Sequence, residues 1–296
     1  MSGTVNIGST SSSYLGLEEE KLGRKHIGLC RLTGQTGRFV ESHILPKSLT
    51  RPVAPGVPFV QGGQRLRPVR RWSSWTDKKL VISEGEKILR DLDTWAIPVL
   101  RQHRLVWSGW GEASDLPAAD HEQIPNTSNG FRSITFADPF RLRLFFLSLL
   151  WRAAASDLPE MAEIVMPPDH LDRLTVMVRD GDPYPLGFYP MGLYQLSSRG
   201  PTHNHGPIAL VMTTPEFDEV PAREFDMFRF YLEGLAIRFY RQASDDGVAG
   251  FQDRTCVGSG DPTIVGTVRY EESFQDGNLR QMQHETKRLH RHVLEN

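Results

Sequence analysis

Apolar positions in this chain recur first at strand spacing, then at helical spacing, and the changes of period mark its expected elements. His26 to Cys30 and Gly37 to Ile44 suit short strands, and Leu32-Thr33-Gly34-Gln35-Thr36-Gly37 between them reads as a hairpin loop. His43 then falls near the end of the second strand, which Pro46 stops. The stretch 52–64 holds Pro52, Pro55, Pro58, Gly56, Gly62 and Gly63, too many breakers for a helix or a paired strand, so irregular loop is expected. Further on, Ile88, Leu89, Leu92, Trp95, Ala96, Val99 and Leu100 form the one-sided stripe of an amphipathic helix. Ser83-Glu84-Gly85-Glu86 has the form of a capping box at its start, Pro98 is expected to bend or break it, and its end is expected near Leu105.

Trp107 to Gly130 is rich in Gly, Pro, Asn and Asp and reads as a surface connection. Asp138-Pro139 then supplies an N-cap with proline at the first helical position. The helix that follows, Phe140 to Ala155, is almost without a polar face apart from Arg141, Arg143, Ser148 and Arg152. Phe228, Phe230 and Leu232 alternate up to Glu233-Gly234, and Leu235, Ile237 and Phe239 alternate away from it. A two-residue turn there puts all six on one face of a hairpin. Ile208 to Thr213 and Thr263 to Tyr270 look like further strands, and Leu279, Met282, Leu289 and Val293 suggest a C-terminal amphipathic helix. The pattern predicts an α+β protein, with a loose tail over 1–22, a first module over 23–106, a linker over 107–130 and a second domain over 131–296.

Composition adds exclusions. The chain has 296 residues, 39% hydrophobic and 24% charged, an ordinary globular balance that allows a sizeable core without staples. No run reaches the ~18 apolar residues of a membrane span, because Arg143, Ser148 and Arg152 interrupt the best candidate. The first residues lack the basic and apolar regions of a secretory signal, and the two cysteines, Cys30 and Cys256, are far apart, so a reducing cytoplasm is the expected compartment. The net charge of −2 provides no global field for phosphate backbones, and any nucleic-acid contact has to be local. The densest positive stretch carries Arg65, Arg67, Arg70 and Arg71 and runs into Trp72 and Trp75. It reads either as a phosphate-pairing and base-stacking segment or as a solvated loop whose tryptophans pack inward.

Three segments suggest chemistry: Cys30-Arg31-Leu32-Thr33-Gly34, then Phe39-Val40-Glu41-Ser42-His43-Ile44-Leu45-Pro46-Lys47, then Trp75-Thr76-Asp77 running through Ile82 to Glu86. In order and spacing they resemble a branch of the HNH (ββα-metal) nuclease superfamily that carries Cys-x-x-Cys-Gly, a Ser-His-Ile-Ile-Pro-Lys stretch and a Leu-Cys-x-x-Cys-Glu helix start. Leu144 to Ala153 is similar to the Phe-x-Leu-Ser-x-Leu-Trp-Arg-Ala helix that follows the module in that branch. Of the family's four zinc-cage positions only Cys30 is kept, the others being Thr33, Ile82 and Gly85. One thiolate cannot build a tetrahedral zinc site, so no structural zinc is expected and packing of Leu29, Phe39 and Ile44 against Ile82, Ile88 and Leu89 is expected to replace it.

The resemblance implies His43 as general base, Asp77 as the residue that orients it, and Ser42 and Glu86 as ligands of one Mg2+ or Mn2+. Ser42 is a weak ligand and the capping box competes for Glu86, while His43 reads equally as a hydrogen-bonded histidine at a strand end and Asp77 as a surface charge at a turn. With Lys47 and the arginine run as phosphate contacts, the expectation is a nucleic-acid-binding protein, an endonuclease of bacterial or phage defence acting on DNA or RNA. The alternative is an inactive HNH-fold subunit that binds nucleic acid, a protein partner or its own copy. Two other clusters read as solvated: His203-Asn204-His205, with two imidazoles and no third ligand, and His284, His290 and His292 on the terminal helix.

Overall fold

The computed structural model describes residues 26–50, 59–63, 66–214, 223–241 and 254–294. The expected tail, Arg65 and the proline cluster 52–58 lie outside the described residues, as do the side chains of Leu289, His290, His292 and Val293. The chain is α+β. Its strands are β1 (Ile27–Leu29), β2 (Thr36–Arg38), β3 (Ser42–His43), β4 (Phe59–Gly63), β5 (Leu66–Arg71), β6 (Thr76–Asp77), β7 (Glu122–Gln123), β8 (Asn129–Ile134), β9 (Met191–Leu196), β10 (His203–His205), β11 (Ile208–Thr214), β12 (Arg223–Leu232), β13 (Leu235–Tyr240) and β14 (Thr263–Val268). The helices are α1 (Ser83–Gln102), α2 (Pro139–Ala155), α3 (Pro168–Asp180) and α4 (Phe274–Leu294).

A seven-stranded sheet of order β11-β12-β13-β9-β14-β8-β7 dominates the second half, antiparallel throughout except where β9 meets β14. Its centre is the predicted hairpin. Leu232 pairs Leu235 across the Glu233-Gly234 turn, and Phe228, Phe230, Leu232, Leu235, Ile237 and Phe239 are all fully buried. Both turn residues have positive φ, 45° and 90°, as a two-residue turn matched to strand twist requires. Helix α2 starts as expected, Asp138 Oδ1 accepting the Arg141 amide at 2.9 Å with Pro139 in the first turn. It is buried nearly all round, and a single apolar cluster takes in α1, α2, α3 and the inner faces of β9, β12 and β13. Each fully buried Phe or Leu in that cluster contributes about 1.5–3 kcal/mol.

Two arginines inside α2 offset this apolar setting by multiple hydrogen bonds, Arg152 Nε being left without a partner. Arg143 donates to the carbonyls of Pro183, Tyr189, Pro185 and Phe188, and burial pushes its guanidinium down to about 10. Arg152, 1% exposed, makes a two-pronged bond to Asp93 of α1 at 3.0 and 2.7 Å and also donates to the carbonyls of Leu89 and His43.

Several local expectations need correction. Phe59–Gly63 is a strand rather than loop, because β10 pairs it on one side and β5 on the other, and a register shift between Gln61 and Gly63 absorbs the glycines. Pro68 is tolerated because β5 is the edge of that three-stranded sheet. Helix α1 passes through Pro98 and ends at Gln102. The 107–130 segment buries Trp107 and Trp110 and contributes β7 to the edge of the large sheet. Leu29 is 62% exposed and takes no part in the packing proposed for it, whereas Ile44, Ile82 and Leu89 share the core with Phe39 and Ile88 against them.

Candidate functional site

The N-terminal segments fold into one compact unit. Strands β1 and β2 make the predicted hairpin, closed by the Cys30 amide on the Gln35 carbonyl at 2.8 Å. The chain then leaves that hairpin, so His43 does not sit on its second strand. Phe39 bridges Ile82, the Val40 amide donates to Val81 at 3.1 Å, and β3 pairs antiparallel with β6, placing Ser42 opposite Asp77 and His43 opposite Thr76. Helix α1 begins six residues after β6. The result is a short strand pair followed by a helix, with the histidine on the first strand.

Cys30, Thr33, Ile82 and Gly85, the positions set against a zinc cage by resemblance, lie at the root of this unit. A Cβ on Gly85 would stand 2.9 Å from Cys30 Sγ, and the Thr33 amide approaches the same sulfur at 3.4 Å. Ile82 is 3% exposed and belongs to the core, so an aliphatic side chain fills space beside the lone, buried thiol.

The capping box does not form. Ile82, held extended by its bridge to Phe39, is the N-cap residue, which moves Ser83 one position into the helix where its hydroxyl caps nothing. Glu86 is thereby released. Together with Leu89 and Asp93 it lies on the face of α1 that meets β3 and Arg152. Burial raises the Glu86 carboxyl above its usual range, with the Ser42 hydroxyl and Arg152 pulling the other way. Glu86 Oε2 and Ser42 Oγ are both buried without a completed hydrogen bond.

His43 is half-buried, its carbonyl accepting from Arg152 while the amide of the following residue, Ile44, donates to the Trp75 carbonyl at 3.0 Å. Burial lowers the imidazole below its usual pKa, and the exposed Lys47 beside it acts in the same direction, so the ring is neutral near pH 7. Asp77 is placed differently from its expected role. Its Oδ1 accepts the Lys79 amide and its Oδ2 the Ser156 hydroxyl, each at 2.7 Å, so the carboxylate braces the turn into α1 and the end of α2. Among the described residues no three His, Cys, Asp or Glu side chains converge as a metal-holding group. Ser42 and Glu86 are brought together, while His43, the next residue on β3, alternates to the other face of the strand. Asp77 is adjacent but occupied.

The basic run is divided. On β5, Arg67 and Arg71 point to one face and Arg70 to the other, as strand alternation requires, and all three are exposed. Trp75 packs inward, as the second reading of this stretch expects, while Trp72 is 62% exposed. His203 of the other cluster is engaged at both ring nitrogens, with Pro201 and Gln275. Sequence reading missed Asp93 and Ser156. The one available signal was Arg152 inside an apolar helix, which demands a buried acceptor. No protein-family model, curated protein or solved structure matches this chain.

Proposed function

We propose that the chain is an HNH-like ββα protein that engages DNA or RNA at the His43 face and cleaves it as a metal-dependent phosphodiesterase. The observation that carries this reading is the buried Glu86 carboxyl that meets the hydroxyl of Ser42, the residue next to His43 on β3, with the His43 imidazole itself half-buried. A buried carboxylate at a surface strand pair is an uncommon expense for a purely structural helix start. The donor set, one carboxylate and one hydroxyl, fits a hard Mg2+ or Mn2+ ion that takes the rest of its shell from solvent and substrate phosphate. Such an ion, when bound, neutralises charge developing on the phosphate and the departing oxygen. His43 accepts the proton of the attacking water, for which a pKa below 6.5 keeps its nitrogen free at neutral pH. Arg152 fixes the His43 backbone, and Lys47 with Arg67, Arg70 and Arg71 supplies cations for the phosphate backbone. Defence against foreign nucleic acid is the setting that the resemblance implies.

A second reading, a binding or assembly subunit that no longer cuts, is favoured by the engagement of Asp77 away from the imidazole. Plasmid, single-stranded DNA and RNA incubated with Mg2+ or Mn2+ separate the two. Cleavage lost in both His43→Ala and Glu86→Gln supports the nuclease. Binding without cleavage, or equal cleavage by the variants, leaves the second reading.

A further inference from the structure

Beside the turn between β12 and β13 lies a cavity of about 270 Å³, distinct in its lining from Ser42, His43 and Glu86, whose walls include Ser48, Trp107, Arg199, His203, Tyr231 and Glu233. Four side-chain atoms on those walls are buried without a hydrogen-bond partner: Ser48 Oγ, Trp107 Nε1, Arg199 Nε and Glu233 Oε2. Orphaned polar atoms scattered through a core are individual defects. Four around one cavity ask for one ligand that satisfies them together.

Their chemistry restricts that ligand. Trp107 Nε1 and Arg199 Nε only donate, and the Glu233 oxygen accepts, so the ligand must present both acceptors and a donor. Trp107 and Tyr231, with ring centroids 6.5 Å apart at 77°, give an apolar corner for a flat ring, and His203 lies over Tyr231 at 6.4 Å. Arg199 is not a free phosphate clamp, because its Nη2 is held by the carbonyls of Trp107 at 2.8 Å and Gly111 at 2.7 Å, which aims the rest of the guanidinium. The backbone also points to this site. Glu233 sits at φ 45°, where an Asn-Gly turn is favoured, so the fold tolerates a left-handed glutamate at a position that lines the cavity, where Ser108 also bonds its carboxylate. A flat, uncharged heterocycle with donors and acceptors matches all of this, and the volume suits one such ring with a sugar but not a paired helix.

We propose that this cavity binds a single unpaired nucleobase, presented either as a free nucleoside or as a base extruded from a strand. Titration calorimetry of the whole chain with guanosine, adenosine, uridine and cytidine, and in parallel with single-stranded oligonucleotides of each base, tests it. Trp107→Phe keeps the ring and removes the donor. Glu233→Asn removes the carboxylate while improving the turn, so its melting temperature should rise as its binding falls, which a merely structural role would not produce. Each variant is expected to weaken binding about tenfold. Nucleoside binding with these losses identifies a free ligand, and the same losses seen with oligonucleotides only identify a base in a strand. No binding of either at millimolar concentration, or binding untouched by both variants, overturns the proposal. Should Trp107→Phe fail to fold, Glu233→Asn decides alone.

Discussion

Arg152→Met isolates the contact that joins the N-terminal unit to the central helix. Methionine keeps the length and apolar stem of the side chain, so packing inside α2 is largely retained while every polar partner is abandoned. Those partners are the Asp93 carboxylate, bound at two points, and the carbonyls of Leu89 and His43. Removing one member of a buried ion pair costs about 3–5 kcal/mol, because the other charge is left unsolvated. Asp93 is 20% exposed, so water recovers part of the loss, and the expected value lies toward the lower end, about 3 kcal/mol. For a chain of this size that is roughly a 6–12 °C drop in melting temperature. Urea denaturation of the variant, of Asp93→Asn and of the double variant supplies the assay. A coupling energy of about 2 kcal/mol or more in that cycle is expected. A loss under about 1 kcal/mol with additive single effects would refute the claim that this pair fastens α1 and β3 to α2.

Glu86→Gln tests the cost of the site. A carboxyl whose pKa is raised on folding binds its proton more tightly in the native state, so stability falls as pH rises from the unfolded value of 4.5 through the folded one. The variant should match the parent near pH 4, exceed it in melting temperature at pH 7 to 8, and have lost cleavage; equal curves at both pH values would contradict a buried, strained carboxylate. For His43 the sign is reversed. A lowered pKa makes the unfolded state the better proton acceptor, so stability rises with pH through the window below 6.5, and the acid limb of any cleavage profile should have its midpoint below that value. An acid limb above 7 would sink the assignment of His43 as base. Arg143→Met strands four carbonyls and is expected to destabilise by about 3 kcal/mol or more, read as a shifted urea midpoint. Placing cysteines beside Cys30 with Thr33→Cys, Ile82→Cys and Gly85→Cys should create a site for one Zn2+ per chain, measured by metal analysis; no uptake would count against the proposed HNH-like reading of this unit.

Local pattern alone determined much of the fold. The β12–β13 hairpin, the Asp138-Pro139 helix start and the stripe of α1 follow from alternation, capping chemistry and helical period, which depend on neighbours a few residues away. Ser42 and Glu86, picked out as candidates from the sequence, meet in the fold. Tertiary structure decided the rest. Ile82 became the helix cap only because Phe39, distant in sequence, pairs with it, and that one-residue shift released Glu86 from the capping box. Asp77 was claimed by Ser156 at the far end of α2. Phe59–Gly63, dense in glycine, became a strand because β10, more than a hundred residues later, supplies its hydrogen bonds. Hydrogen-bond partners and burial are properties of the assembled layers, and no window of sequence contains them.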